Sequence, residues 1–225
     1  MEWDEIIKEW RVAWEIDGGD ECMNFLRFLY EPASYVHRSR LEKIFCNFSC
    51  ARTIAETRRG WLAMNGKLLE FYRLNSPSRN GPRLLQRQRI IYDDPLKLQR
   101  LVNIAGALVC SSEIQVVVTN RSHHSLLGTI GDEAYGFALR KTVFFADEIA
   151  RLSRKDIPAA SLPRRVATVG RWCVASCLHG MAKDVKRRFV LKFPEGSGWK
   201  LAIDLADEPL EEAWNLVERL RARIN

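Results

Sequence analysis

No run of apolar residues in this chain approaches the roughly 20 that a membrane-spanning helix needs. The opening MEWDEIIKEW puts acids where a secretory signal has a basic start. Together these absences imply a protein of the cytosol. No Walker A loop, dinucleotide fingerprint, H-E-x-x-H, paired zinc knuckle or nucleophile elbow occurs. Gly128 and Gly131 flank Ile130 without the glycine pattern that cradles phosphate. There is no internal repeat and no low-complexity tract.

Reactive side chains are also few. The six cysteines are Cys22, Cys46, Cys50, Cys110, Cys173 and Cys177. Cys46/Cys50 and Cys173/Cys177 are each one helical turn apart, but no His/Cys knuckle accompanies them. They read as buried, reduced thiols, as suits the cytosol. His37 follows a core-like valine and has no nucleophile beside it, so it reads as structural. His123 and His124 are adjacent and leave a helix in different directions. With Ser122 or Ser125 they lack a third, orienting group. A hydrolase built on these histidines is therefore the weakest reading. The expectation is a non-enzymatic chain with no metal, cofactor or small-molecule substrate.

What is present is apolar material and positive charge. Hydrophobic residues make up 47% of the 225, enough for a real core. Lys plus Arg number 35 against 28 Asp plus Glu, a net +7. Such an excess suits an acidic partner, nucleic acid or an anionic membrane face, or serves only solubility. It is concentrated in Arg79, Arg83, Arg87 and Arg89, a run with no acid. Nucleic-acid binding would pair such a run with stacking aromatics, and only Tyr92 is near. A nucleic-acid-binding module is the alternative function. A solvated basic face, or a patch meeting an acidic partner, is preferred, and no nucleic acid is expected.

The chain is organised around Pro95–Phe145, where apolar residues recur at helical spacing with Ala and Gly between them. Asp93-Asp94-Pro95 starts a helix carrying Leu98, Leu101, Val102, Ala105, Leu108 and Val109. Ser111-Ser112-Glu113 starts another, with Ile114, Val117 and Val118, although Val116–Val118 also suits a strand. Asn120-Arg121-Ser122 turns the chain, and Gly131-Asp132-Glu133 opens a further helix through Tyr135 and Leu139.

Before this centre, Asn24–Tyr30 is apolar around Arg27, and Pro32 ends it. A helix then runs from Tyr35 to about Phe48 with Leu41, Ile44, Phe45 and Phe48 inward. A longer one spans Ala51–Leu74, with Ile54, Trp61, Leu62, Leu68, Leu69 and Phe71 as its buried face. Gly60 and Gly66 mark a kink or a close approach there. Residues 75–82 are the clearest loop.

After the centre, Arg151–Arg165 reads as a basic loop with Pro158 and Pro163. Arg164–Lys183 is helical, with Val166, Val169, Trp172, Cys173, Ser176 and Cys177 on one face. The alternation of Arg188–Phe193 and of Trp199–Ile203 about Pro194–Gly198 predicts a β-hairpin. Glu208–Ile224 closes the chain as an amphipathic helix. The fold class is thus mainly α: a single compact helical domain over residues 24–225 with a short β-hairpin near the C-terminus. Residues 1–23 form an acidic appendage. It carries a helix over residues 2–16 with Trp3, Ile7, Trp10 and Trp14 on one side. That tryptophan face folds back on the body or docks on another protein. Trp3, Trp10, Trp14 and the four arginines Arg79–Arg89 are the candidate partner-binding residues.

Asn24-Phe25-Leu26-Arg27-Phe28 followed by Pro32-Ala33-Ser34-Tyr35-Val36-His37 resembles the opening signature L-R-F-x-P-x-x-Y-L-H of the type III secretion family SctK. Here the spacing before the proline is longer by two. The order continues through Leu98-Leu101-Ala105, Leu126-Leu127 and Ala134–Phe145. It ends in Arg188-Phe189-Val190-Leu191-Lys192-Phe193-Pro194 with Trp199, similar to the family's R-L-x-L-R-L-P and tryptophan. Known members include YscK, OrgA and the rhizobial nodulation protein NolU, which this chain most resembles. The resemblance implies a cytosolic, mainly helical adaptor at the cytosolic face of the inner membrane. Its expected partners are an SctD-like inner-membrane ring protein and an SctQ-like pod protein of the sorting platform.

Overall fold

The computed structural model describes residues 19–74, 86–117, 120–153, 161–206 and 211–224. In chain order the helices are α1 (Gly19–Tyr30), α2 (Arg38–Ile44), α3 (Phe48–Ala55), α4 (Arg58–Phe71), α5 (Pro95–Val109) and α6 (Ser111–Gln115). They continue as α7 (Asn120–Arg140), α8 (Ala146–Leu152), α9 (Leu162–Ser176), α10 (Lys183–Leu191), α11 (Trp199–Leu205) and α12 (Glu211–Ile224). Short 3-10 turns occupy Pro32–Ser34, Gln86–Tyr92 and Thr142–Phe145. No β-strand occurs among the described residues.

The chain divides into two compact units. The first joins the described residues up to Tyr92 with Met181–Ser197, and the second joins Asp93–Gly180 with Gly198–Asn225. This division escapes a linear reading because the first unit borrows its last helix from within the span of the second.

In the first unit, Phe25, Leu26, Phe28 and Leu29 bury the apolar face of α1. Val36, Leu41, Met64, Leu68, Leu74 and Leu191 form a second cluster. Polar side chains close the helix ends. His37 accepts from the Ser39 amide at 3.2 Å, Asn47 from Cys50 at 3.1 Å and Thr57 from Gly60 at 3.1 Å. These caps divide what the sequence reads as two longer helices into α2, α3 and α4. Gly60 allows the tight turn between α3 and α4, since a Cβ there would lie 1.9 Å from the Ile54 carbonyl oxygen. Nothing crowds Gly66. Ile54 in α3 and Leu62 and Phe71 in α4 face outward, at 61%, 51% and 56% exposure, against the expectation that they are buried, because α4 buries the face of Gly60, Met64 and Leu68 instead. Leu68 is buried as expected.

The predicted β-hairpin is replaced by α10 and α11. Val185, Arg188, Phe189, Lys192 and Phe193 are all buried, a set at helical spacing. The spacing is hidden in the sequence because two of its members carry charge and read as outward-facing. In α11 the buried positions are Trp199 and Ala202, followed by Ala206, while Leu201 is 57% exposed. The main-chain segment 194–198 is a turn, with Gly196 and Gly198 at φ of +73° and +81°.

In the second unit α5 is the central helix. Its buried residues include Leu98, Leu101, Val102, Ala105, Leu108 and Val109, as the spacing predicts. Ile104, Gly106 and Ala107 are buried as well, so the helix is enclosed on nearly every side. Asp94 caps it, accepting from the Leu96 and Lys97 amides at 2.9 and 3.0 Å, with Pro95 in the first turn. Helices α7, α9 and α12 pack on it. Helix α9 crosses α5 at Gly106 and Gly170, each of which faces backbone of the other helix.

The turn expected at Asn120–Ser122 is instead the start of α7. The expected break at Gly131 is real, with φ +81° and ψ +159° inside α7. The ring of His123 lies 5.0 Å from that of Tyr135. A straight helix would hold two residues twelve apart at about 18 Å along its axis, so the chain reverses at Gly131. Pro163 belongs to the first turn of α9 rather than to a loop, and residues 154–160 lie outside the described residues. Val116 is 71% exposed in the turn after α6, neither it nor Val117 is in a strand, and Val118 lies outside the described residues. In α12, Val217, Leu220 and Ile224 are buried as expected.

The thiols divide by environment. Cys110, Cys173 and Cys177 are buried, whereas Cys46 and Cys50 are exposed, against the expectation that both spaced pairs are core residues. The two exposed thiols lie at and beyond the α2–α3 turn, outside the cluster that α2 and α4 bury. Burial pushes the Cys110 thiol up to about 12, with the nearby Glu113 carboxylate adding to the effect. It pushes Cys173 up as well. In native protein at pH 8, Cys46 and Cys50 are expected to react with Ellman's reagent in seconds to minutes. Cys110, Cys173 and Cys177 should react only after denaturant is added, and prompt native reaction of these three would contradict the structure.

Candidate interaction surfaces

Within each unit several of the basic side chains are paired with acids, which leaves the net charge of +7 unchanged. In the first unit Glu195 meets Lys43 and lies 3.7 Å from Arg40, and Lys43 holds its carboxyl below the usual range. Arg40, itself buried, donates through Nε to the Phe193 carbonyl at 2.6 Å. In the second unit Arg221 holds both oxygens of the buried Asp93, at 2.8 and 3.0 Å. Arg100 grips Glu133 at 2.7 and 2.6 Å, which holds that carboxyl low. Arg151 pairs with Glu212, and Arg165 with Glu113 at 3.2 Å. Sequence reading missed these pairs because the partners are far apart in the chain.

The sequence-predicted partner residues are only partly in view. Trp3, Trp10, Trp14, Arg79 and Arg83 lie outside the described residues. Arg87 and Arg89 sit on the 3-10 turn Gln86–Tyr92, Arg87 half-buried and Arg89 exposed. Ile90 and Ile91 of the same turn are buried, so the turn is anchored by its apolar pair and offers Arg89 to solvent.

A surface the sequence does not announce lies on the second unit. Leu139, Val143 and Phe144 fall within six residues, at the end of α7 and in the following 3-10 turn, and are 43%, 82% and 51% exposed. Cations surround the aromatic pair there. Lys141 Nζ is 5.4 Å from the centre of the Phe144 ring, and the Arg223 guanidinium is 5.3 Å from it. Arg219 and Arg223 lie 4.7 and 5.1 Å from the ring of the buried Phe145. Arg219 is fixed by Glu148 and by the Phe144 carbonyl. Leu139, Val143 and Phe144 stand out of the helical pattern because Phe145, not Phe144, fills the core.

Two of the four histidines have structural roles. His37 caps α2, and His123 stacks edge-on against Tyr135. Among the described residues no three His, Cys, Asp or Glu side chains are grouped to hold a metal ion. Nor is any described helix long and apolar enough to cross a membrane. What these surfaces offer chemically is apolar contact beside positive charge.

A family model described as YOP proteins translocation protein K (YscK) matches residues 23–223, which takes in both units. Searches of curated proteins and of solved structures give no match.

Proposed function

The chain belongs to the YscK family and is a type III secretion protein, and from that premise we propose that it is a non-enzymatic adaptor of the secretion sorting platform. In this reading it works at the cytosolic face of the inner membrane. It links an SctD-like ring protein to an SctQ-like pod protein, with residues 1–23 as an acidic appendage. The observation that carries the reading is the family match across nearly the whole chain. Two further features support it. Each unit keeps large apolar side chains in solvent, Ile54, Leu62 and Phe71 on one and Leu139, Val143 and Phe144 on the other. Surfaces of that kind are typical of proteins that bind other proteins. His37 and His123, for their part, are occupied in capping and packing. The likeness of the sequence to NolU extends the proposal to a plant symbiont, where loss of secretion would alter nodulation.

The test is a clean deletion. Effector in the culture supernatant should fall to background and return on complementation, and the tagged chain should co-purify with the SctQ-like protein. Normal secretion from the deletion strain would end the adaptor reading.

A further inference from the structure

We propose that the step formed by Leu139, Val143 and Phe144 on the second unit is a docking site for an acidic amphipathic helix of another protein. The proposal rests on the adaptor reading only in expecting a protein partner, and it names that partner's chemistry.

Three observations carry it. First, the apolar side chains are large, close in sequence and exposed, with Val143 at 82%. Leaving three such side chains in water forfeits the gain from burying them, which a partner's apolar face would recover. Second, the cations nearest the apolar step are free to act. Arg140 and Lys141 are exposed, and Arg223 leans over Phe144. None of these three is paired with a carboxylate among the described residues, whereas Arg219 beside them is held by Glu148. Third, Lys141 and Arg223 lie over the Phe144 ring, which presents an aromatic flanked by cations. Aromatic and arginine side chains at the centre of a patch are the usual anchors of protein interfaces. A helix bringing leucine-like residues at i, i+3 and i+4, with Asp or Glu at its flanks, meets all three demands. Asp147, exposed one turn on, sets the limit of the basic rim and disfavours a partner whose acids extend past it.

An anionic membrane is the other surface that attracts apolar residues ringed by cations. Membrane recognition of that kind takes clusters of about 4–8 Lys or Arg. Here three are free, and an acid lies beside them. The balance favours a protein helix.

The test places the photo-crosslinker p-benzoylphenylalanine at Val143 of the full chain, expressed in its own secretion-competent cells. The adduct is then sequenced by mass spectrometry. The expected result is a crosslink to a segment of another protein in which acids flank apolar residues at helical spacing. Charge reversal by Arg140→Glu with Lys141→Glu should cut adduct yield at least tenfold, with the thermal midpoint and circular dichroism unchanged. An adduct to lipid alone, to a second copy of this chain, or to a basic or uncharged segment would overturn the proposal. So would the absence of any adduct, or a yield indifferent to charge reversal. The outcome is separate from that of the deletion test. Secretion can depend on the chain while Val143 meets nothing, and Val143 can meet an acidic helix in a strain whose secretion survives deletion.

Discussion

Gly106→Ala is expected to destabilise the second unit by about 3 kcal/mol, the upper end of the usual cost of overpacking a core. Gly106→Val should go further and abolish its folding. Intrinsic propensity predicts the reverse, since Ala is favoured over Gly inside a helix by about 1 kcal/mol. Geometry decides against propensity. A Cβ on Gly106 would sit 2.0 Å from the Val166 carbonyl oxygen and 2.8 Å from its carbonyl carbon. The obstacle is backbone, which cannot rotate away as a side-chain tip can, so α5 and α9 must separate. Gly170 is the reciprocal site, its Cβ 2.0 Å from the Val102 carbonyl oxygen. Separating the two helices also loosens Val102, Val166, Val169 and Trp172, all buried. Because both glycines serve one crossing, Gly106→Ala with Gly170→Ala should cost less than the sum of the single changes. Urea unfolding followed by tryptophan fluorescence measures Gly106→Val, the two single alanine variants and the double one. An alanine variant as stable as the parent would show that the helices do not cross at these glycines.

Arg188→Ala should be comparably damaging to the first unit, at about 3 kcal/mol, the lower end of the range for breaking a buried ion pair. Arg188 is 0% exposed. Its Nε donates to Asp184 at 2.8 Å, and its Nη1 donates to the Leu29 carbonyl in the last turn of α1. It thus supplies a donor and a positive charge where helix α1 leaves carbonyls unpaired. Tyr35 lies beside it, its phenol raised to about 12 chiefly by burial and partly offset by the Arg188 charge. Removing the guanidinium leaves a carbonyl and a carboxylate without their donor. Asp184 keeps some contact with water, at 24% side-chain exposure, which places the loss at the lower end. Arg188→Met should cost less than alanine, since it keeps the apolar stem. Arg188→Lys should cost the least of the three, since it keeps a positive donor near Asp184, yet remain less stable than arginine because a single ammonium cannot reproduce the planar fork. Chemical unfolding of the three variants checks the order. If lysine proves as stable as arginine, the fork is not what the site requires.

Arg188 also explains where the sequence misleads. Read as a polar residue, it alternates with Phe189, Val190 and Leu191 like one strand of a hairpin. Read as buried, it completes the helical set Val185, Arg188, Phe189, Lys192 and Phe193. A charged side chain enters a core only when partners meet it there. Those partners, Asp184 one turn back and Leu29 from 159 residues earlier, include one that no local pattern shows. The exposed Ile54, Leu62 and Phe71 reflect the same limit, because the face that α4 buries, with Met64 and Leu68, is chosen by the cluster it packs in rather than by the count of apolar residues. The candidate surface at Val143 and Phe144 was illegible for a like reason. Two adjacent phenylalanines look alike in a sequence, and only packing assigns Phe145 to the core and leaves Phe144 in solvent.

Elements whose cause is local were settled by the amino-acid order alone. The Asp94-Pro95 start of α5, its buried stripe, the break at Gly131, the apolar face of α9 and that of α12 all follow from caps, backbone freedom and period. The helical class and the type III secretion family were legible for the same reason, since both rest on short stretches in a fixed order. Tertiary structure alone decided which charges go inside, which apolar residues stay out, and that the chain forms two units with Met181–Ser197 lent to the first. Those outcomes depend on groups brought together from distant positions, where the energy of a buried arginine or a glycine crossing is set by its neighbours in space.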